Sequence, residues 1–391
     1  MPENEILNGV NIYRTGGKIT EFLRNRLSIK KLSGKKTPGN QESSAGISVR
    51  HKAGRLIKCF HDHTWKKVYW PDYACLWYFS AVKKAGQLLT ENCYDSFITV
   101  SIPFTSHLIG FNLKKKYPQI KWLVDIGDPF CFLEKTPTNN HIFYKKLNYK
   151  CEREIFNQSD VIAVTTKPTL EKYAELFPEN TSKIYVIPPL LSQINNESIS
   201  PLFPKNQKLR LVFIGTLYKN IRSPGYLLFL FSKLLNTNIG DRLELHFFGS
   251  IHDCHDFFDK YQALLGTKIF LHGQVSREKA AQAIKKSDVL INIGNSTSYQ
   301  LPSKVVEYAS TGKPVLNLVT TNYDSSISFF KMYQPSMNLL EYRDSLFAER
   351  IKEVVKFIEN PPHLDSATLQ QWLSQFKIEA VASSYFRLVR P

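Results

Sequence analysis

Between Arg210 and Val319 the chain switches repeatedly between short apolar runs and helix-length stretches, and this alternation leaves few folds open. Arg210–Ile214 reads as a strand closing on Gly215. Ser223-Pro224 then starts a helix reaching about Asn236, because proline suits the first helical position. Leu243–Phe248 reads as a strand ending at Gly249, His255–Leu265 as a helix and Lys268–Leu271 as a strand. Ser276 caps a helix through Lys286, Asp288–Ile293 is a buried strand, and Pro314–Val319 is another. Strands separated by helices make parallel βαβ units and an open sheet covered on both faces. Ligands of such sheets bind at the carboxyl ends of the strands, where Gly215, Gly249, Gly273 and Asn295 fall.

The first half repeats the rhythm less completely. Asp95–Val100, Ile120–Val124, Asp160–Val164 and Lys183–Ile187 read as strands. Helices are expected from Thr105, over Asn140–Asn157 and over Lys167–Phe177. Pro188–Lys208 is rich in proline and polar residues and reads as a linker. Helices are also expected near Ser345–Ile358 and Ser366–Leu388. The start is weak: a poor strand within Glu5–Tyr13, Gly16-Gly17, a helix at Ile19–Leu27, and a polar basic loop over 31–56. A doubly wound domain normally opens on a stronger strand. These observations divide the chain into 1–64, a poorly defined part of the first domain, and 65–190, a Rossmann-like domain. They continue with a linker at 191–207, a second Rossmann-like domain at 208–365 and a closing helix at 366–391.

With 391 residues, 43% of them hydrophobic, the chain can bury two cores. The net charge of +17 favours anionic partners such as nucleotides, lipid diphosphates or an acidic membrane surface. Clusters such as Lys114-Lys115-Lys116 and Lys145-Lys146 read either as solvated helix faces or as a footprint on anionic lipid. No recognition motif or aromatic–basic strand pattern supports nucleic acid as the partner. Six cysteines without a Cys-x-x-Cys pair, and no secretory signal, imply reduced thiols in a cytoplasmic protein. No apolar run is long enough to span a membrane. His252-Asp253-Cys254-His255-Asp256 lacks a recognised zinc spacing and reads as a polar loop.

The segment Tyr299-Gln-Leu-Pro-Ser-Lys-Val-Val-Glu-Tyr-Ala-Ser-Thr-Gly-Lys-Pro314 is the most specific in chemistry. Pro302 ends an extended stretch, Ser303 is a good N-cap, and Lys304–Ser310 form short helical turns closed by Gly312 and Pro314. A helix N-terminus with a lysine beside it suits a phosphate, and Glu307 one turn in can accept from sugar hydroxyls. A capped helix with a surface Lys and Glu is the competing reading.

Four segments resemble one family. They are Phe213-Ile-Gly215-Thr216-Leu-Tyr218-Lys219-Asn-Ile-Arg222-Ser-Pro224, and Asp288–Asn295 continued by Gln300-Leu-Pro302-Ser303-Lys304 and Glu307-Tyr308. The other two are Asp125-Ile-Gly-Asp128-Pro129, and Trp70-Pro71-Asp72 with Trp77. Over roughly residues 65–390 the chain resembles the GT-B glycosyltransferases. It is most similar to the retaining nucleotide-sugar family 4, the group 1 glycosyl transferases of bacterial surface polysaccharide synthesis. The resemblance implies an α/β fold of two Rossmann-like, doubly wound domains facing across a cleft. It implies transfer of a hexosyl unit from a nucleotide-diphosphate sugar to a lipid-linked or polysaccharide acceptor, with no cofactor. A cytoplasmic enzyme, peripheral at the inner membrane face, follows.

The resemblance also implies roles. Glu307 would bind the donor ribose. Lys304 and Arg222, with amides after Gly215 and Pro302, would hold the diphosphate, and Thr216, Ser303 and Lys219 belong to the same donor set. Lys219 is equally readable as a solvent-exposed lysine. Basic residues there would stabilise the charge that grows on the leaving diphosphate. No Asp-x-Asp occurs, which fits a metal-free site. Relatives carry a second glutamate eight positions before the ribose glutamate. Here that position is Tyr299, leaving Gln300 and Asn295 as candidates for the donor sugar. On the acceptor side the catalytic candidates are Asp128 and His107. Asp128 is also readable as a turn-former before Pro129. His107 is also readable as an ordinary helix-start residue, and an unperturbed histidine pKa would suit proton traffic. The alternatives are a catalytically degenerate module that binds a nucleotide sugar or a partner enzyme, and an epimerase on the same fold.

Overall fold

The structure is a computed structural model that describes residues 4–16, 68–133, 135–191, 202–204, 206–341 and 347–390. The helix expected at Ile19–Leu27, the polar loop 31–56 and much of the linker 191–207 lie outside the described residues. The chain divides into two compact units. Unit 1 is Met1–Ala163, Phe177–Tyr185 and Leu388–Pro391; unit 2 is Val164–Leu176 and Val186–Arg387.

Unit 1 begins with an antiparallel pair, β1 (Asn4–Leu7) and β2 (Val10–Tyr13). The single strand expected within Glu5–Tyr13 is therefore a hairpin. Asn8 and Gly9 take φ of 51° and 80°, the left-handed pair that a two-residue hairpin turn requires. The Asn-Gly dipeptide was the missed signal. Helix α1 (Trp77–Glu91) follows, then β3 (Ser96–Ser101), α2 (Thr105–Lys116), β4 (Lys121–Ile126) and α3 (His141–Gln158). Next come β5 (Val161–Val164), α4 (Lys167–Leu176), which belongs to unit 2, and β6 (Ile184–Val186). The sheet runs β3-β4-β5-β6, with β3 and β4 parallel. Asp72 starts α2 from outside its own chain segment: its carboxylate accepts from Thr105 N at 2.9 Å and Thr105 Oγ1 at 2.8 Å. Glu152 of α3 is fully buried and accepts from the amides of Phe130 and Cys131, which fixes the loop after β4.

Unit 2 carries β7 (Leu209–Ile214), α5 (Gly225–Leu234), β8 (Leu243–Phe248), β9 (Ile269–Leu271), α6 (Arg277–Lys286) and β10 (Val289–Ile293). It continues with α7 (Val305–Ala309), β11 (Val315–Val319), α8 (Ser325–Lys331), β12 (Ser336–Leu340), α9 (Phe347–Glu359) and α10 (Ser366–Leu373). Helix α11 (Ile378–Val389) follows. The sheet order is β12-β11-β10-β7-β8-β9, all parallel. Successive residues of β7 enter opposite cores: Leu211 and Phe213 pack with α5 and α9, while Val212 and Ile214 pack with α6, α7 and α10. This is the doubly wound arrangement expected from the alternation. The stretch expected as one helix over Ser366–Leu388 is broken by a 3-10 turn at Ser374–Phe376. The stretch His255–Leu264 is a 3-10 segment with a kink at Tyr261, not an α-helix. Among the described residues no helix is long and apolar enough to cross a membrane.

A polar ladder locks the register of one half of this sheet. Asn292, Asn317 and Asn338 stand level on β10, β11 and β12. Asn292 Nδ2 donates to Asn317 Oδ1 at 2.7 Å, and Asn317 Nδ2 donates to Asn338 Oδ1 at 2.7 Å. Asn317 is completely buried, so a one-residue slip would strand its amide among apolar groups. Replacing Asn317 with Ala leaves a donor and an acceptor unpaired and should cost about 2–5 kcal/mol. Urea unfolding followed by fluorescence measures this; an unchanged midpoint would contradict the ladder's role.

Candidate functional site

The strand order of unit 2 reverses between β7 and β10, and a doubly wound sheet opens its ligand crevice at such a point. The loop after β7 is shaped by two glycines. Gly215 has φ of 151° and Gly249, after β8, has φ of 131°. A Cβ on Gly249 would lie 2.1 Å from the Gly215 carbonyl oxygen, so only glycine allows the two strand ends this close approach. Gly215 N donates to Phe248 O and Leu217 N to Ser250 O, each at 2.9 Å. The loop then turns back on itself through paired backbone bonds between Tyr218 and Arg222.

That turn delivers Arg222 to the reversal point. Its Nη2 donates to Asn295 Oδ1 at 2.6 Å and its Nη1 to Thr216 O at 3.4 Å. Its Nε is buried without a hydrogen-bond partner, and among the described residues no carboxylate pairs with the guanidinium. Burial pulls its pKa below the ordinary arginine value, opposed by the nearby Tyr308, Tyr218 and Asp324. Arginine stays charged at any working pH, so this is a partly desolvated cation whose direct hydrogen-bond partners are neutral, with the Asp324 carboxyl acting on it at longer range. Asn295 is oriented in turn by donating from Nδ2 to Gln300 O at 3.0 Å. The Gln300 carbonyl also accepts from Ser325 Oγ at 2.8 Å.

Helix α7 is joined to the same edge through Tyr308, whose fully buried hydroxyl accepts from Ile214 N at 2.9 Å. Burial raises the Tyr308 pKa, so the phenol stays protonated. Lys304 Nζ bonds both carboxylate oxygens of Glu307, at 2.9 and 2.7 Å. Glu307 is buried, and this pair keeps its carboxylate from being an uncompensated charge. The helix has only five residues and starts at Val305, with Lys304 in the N-cap position and no side-chain cap. Ser303, expected as the cap, is exposed. So short a helix has a weak end charge, and the cations rather than the dipole supply the positive field. Lys219 stands apart on the surface, paired with Asp256 at 2.9 Å. The hydrogen bond to Asp256 raises its pKa.

Asp324 was not singled out in the sequence, yet it braces this edge. It is 1% exposed, accepts from Ser296 N at 2.7 Å and caps α8 by accepting from Ser326 N at 2.9 Å. The signal was present as an aspartate followed by two serines before an apolar run.

In unit 1, Asp128 is partly exposed in the loop that Glu152 fixes. His107 is fully buried on α2, and burial lowers its pKa to about 3, so the ordinary value expected from the sequence does not hold. Trp122 Nε1 donates to Thr99 Oγ1 at 2.9 Å, and Thr99 Oγ1 lies 2.8 Å from His107 Nδ1. His107 Nε2 is buried without a hydrogen-bond partner.

No protein-family model matches this chain, and none of the curated proteins matches it. Solved structures do match, at low sequence identity. TarM aligns with a TM-score of 0.56 and 14% identity, over 80% of this chain and 58% of TarM. The chain thus spans little more than half the length of TarM, and a TarM mutant from S. aureus was solved with fondaparinux, alpha-GlcNAc-glycerol and UDP. Anabaena HepE in complex with UDP aligns at 0.56 and 11% identity, over 78% of this chain and 80% of HepE. A glycosyltransferase from Rickettsia africae aligns at 0.54 and 13% identity, over 80% of each chain. A provisionally assigned UDP-N-acetylglucosamine 2-epimerase from Listeria monocytogenes aligns at 0.51 and 15% identity, over 82% of each chain. The fold is GT-B, as the sequence led us to expect.

Acid should loosen each unit through one buried histidine. His107 in unit 1 and His246 in unit 2 both have pKa values lowered by burial to about 3 from 6.5. The unfolded chain therefore binds more protons between those values, and stability falls as pH drops below 6.5. The loss is about 1.4 kcal/mol per pH unit for each histidine. Urea unfolding at pH 7 and pH 5 of the wild type and of His246→Phe tests the sign: the variant should lose less stability on acidification. An equal loss in both would exclude His246 as a contributor.

Proposed function

We propose that this protein is a glycosyltransferase. It moves a hexosyl unit from a nucleotide-diphosphate sugar to a lipid-linked or polysaccharide acceptor, with retention of configuration and without a metal ion. The observation that carries the reading is Arg222, a part-buried cation at the reversal point of the sheet that no carboxylate pairs with directly among the described residues. A diphosphate supplies the missing negative charge. Lys304 adds a second cation, Thr216 and Ser303, which follow Gly215 and Pro302, bring backbone amides, and Glu307 takes the ribose hydroxyls once Lys304 turns to phosphate. Asn295 and Gln300 meet the donor sugar. As the glycosidic bond breaks, charge grows on the departing diphosphate, and fixed cations stabilise it without reorganisation. Because HepE and the TarM mutant were solved with UDP, uridine diphosphate sugars are the donors to test first.

Unit 1 takes the acceptor in this reading, with Asp128 at the reacting hydroxyl and His107 supporting the site from within the core through Thr99. The enzyme works at the cytoplasmic face of an anionic membrane, where a lipid-linked acceptor resides. Tyr299, in place of a second glutamate, favours a different reading in which the chain binds a nucleotide sugar without turnover. The two separate on one assay. Transfer to an acceptor over a panel of donors supports the first, while nucleotide binding with no turnover supports the second. Formation of an epimerised nucleotide sugar without acceptor would identify an epimerase instead.

A saturating donor nucleotide at one hundred times its Kd should stabilise the protein by about 2.7 kcal/mol, visible as a raised thermal midpoint. Glu307→Ala and Lys304→Ala should reduce transfer at least about tenfold, since each removes a charged contact worth 1.4 kcal/mol or more. Unchanged activity in both would remove the site assignment. Arg222→Met should abolish the nucleotide-dependent shift while leaving the protein's own stability within about 1 kcal/mol, because losing a desolvated charge offsets the lost hydrogen bonds. An unfolded Arg222→Met variant would mark Arg222 as structural.

A further inference from the structure

Helix α3 turns apolar side chains to solvent at its first turn. Ile142 is 97% exposed, Phe143 75% and Leu147 43%. Val68, also exposed, is fastened alongside by Tyr144 Oη, which donates to the Val68 carbonyl at 2.7 Å. The helix buries Asn148, Glu152, Ile155 and Phe156 on its other side. By helical period Phe143, Lys146, Leu147 and Lys150 therefore share the outward stripe. Leaving an isoleucine and a phenylalanine this exposed forgoes about 1.5–3 kcal/mol each, and contiguous exposure of this kind marks an interaction surface.

The charge around the stripe says what covers it. From His141 to Cys151 the sequence holds three lysines and no acid. Lys146 and Lys150 pair with no carboxylate among the described residues. Glu152, the first acid of the helix, faces inward on the Phe130 and Cys131 amides. An apolar turn followed by lysines one and two turns on matches the depth profile of an anionic bilayer surface. The apolar groups enter the acyl boundary, and the ammonium groups stay at phosphate level on flexible stems. The chain's net charge of +17 acts in the same direction.

We propose that the first turn of α3, with Val68 beside it, docks unit 1 onto an anionic lipid bilayer. This deepens the reading above and rests on it in one respect, that a lipid-linked acceptor lies at such a surface. The test is co-sedimentation of the full chain with vesicles of phosphatidylcholine alone and of phosphatidylcholine with phosphatidylglycerol. A Phe143→Trp variant read with brominated acyl chains reports insertion. The expected result is binding to the anionic vesicles, with quenched and blue-shifted Trp emission. Ile142→Ser with Phe143→Ser should weaken it at least about tenfold, and Lys146→Gln with Lys150→Gln about tenfold or more on anionic vesicles only. The thermal response to UDP, measured on each variant, separates failure of this surface from failure of the donor site. Equal vesicle binding by the Ser variant would overturn the proposal. So would unaltered Trp emission, or vesicle-independent dimerisation that the Ser variant abolishes.

Discussion

One charge-assisted hydrogen bond, beside a longer one from Ser296 Oγ to Ile221 O, joins the parts of unit 2 proposed to bind the donor. Arg222 Nη2 to Asn295 Oδ1 connects the loop after β7 to the loop after β10, across the point where strand order reverses. Around that bond the other features are supports. Gly249 lets the loop after β7 lie against β8, Tyr308 fastens α7 to the end of β7, and Asp324 braces the residue that follows Asn295. An arginine partly desolvated in this way, without a directly paired carboxylate, is a poor choice for stability alone. It is well suited to a site that waits for an anion.

The two cations of the edge are managed differently, and the difference is chemical. Lys304 lies against the Glu307 carboxylate with both oxygens engaged, so neither charge is left bare. Arg222 has only amide and carbonyl partners. A diphosphate arriving at Arg222 meets a charge with no directly paired carboxylate. At Lys304 it competes with Glu307, and success there releases the carboxylate for hydroxyl groups. Binding of the phosphates and of the sugar ring would then be coupled through one lysine.

The architecture of unit 2 was readable because parallel strands buried on both faces give apolar runs, and helices between them leave caps and glycines as punctuation. Strand β12 and helix α8 were harder, because Ser336–Leu340 has weak strand character and α8 is capped by a side chain that reads as loop. In the first half, the Asn8-Gly9 turn divided what looked like one strand. The resemblance to known transferases pointed to Arg222, Lys304 and Glu307 as candidates. It did not reveal that Lys304 and Glu307 neutralise each other, nor that Lys219 sits in a surface pair with Asp256. Those facts depend on rotamers and burial. The same holds for His107, whose burial and contact with Thr99, itself bonded to Trp122, join residues distant in sequence and adjacent across the sheet. Fold similarity at 11–15% identity places this chain among GT-B proteins and leaves its chemistry to the site.

Hydrogen exchange of the full chain with and without UDP tests the central claim most directly, since backbone amides report where a diphosphate sits. The account expects slowed exchange in the loop from Gly215 to Arg222 and between Asn295 and Lys304, with α3 unaffected. Protection confined to other segments, or none at saturating UDP, would contradict it.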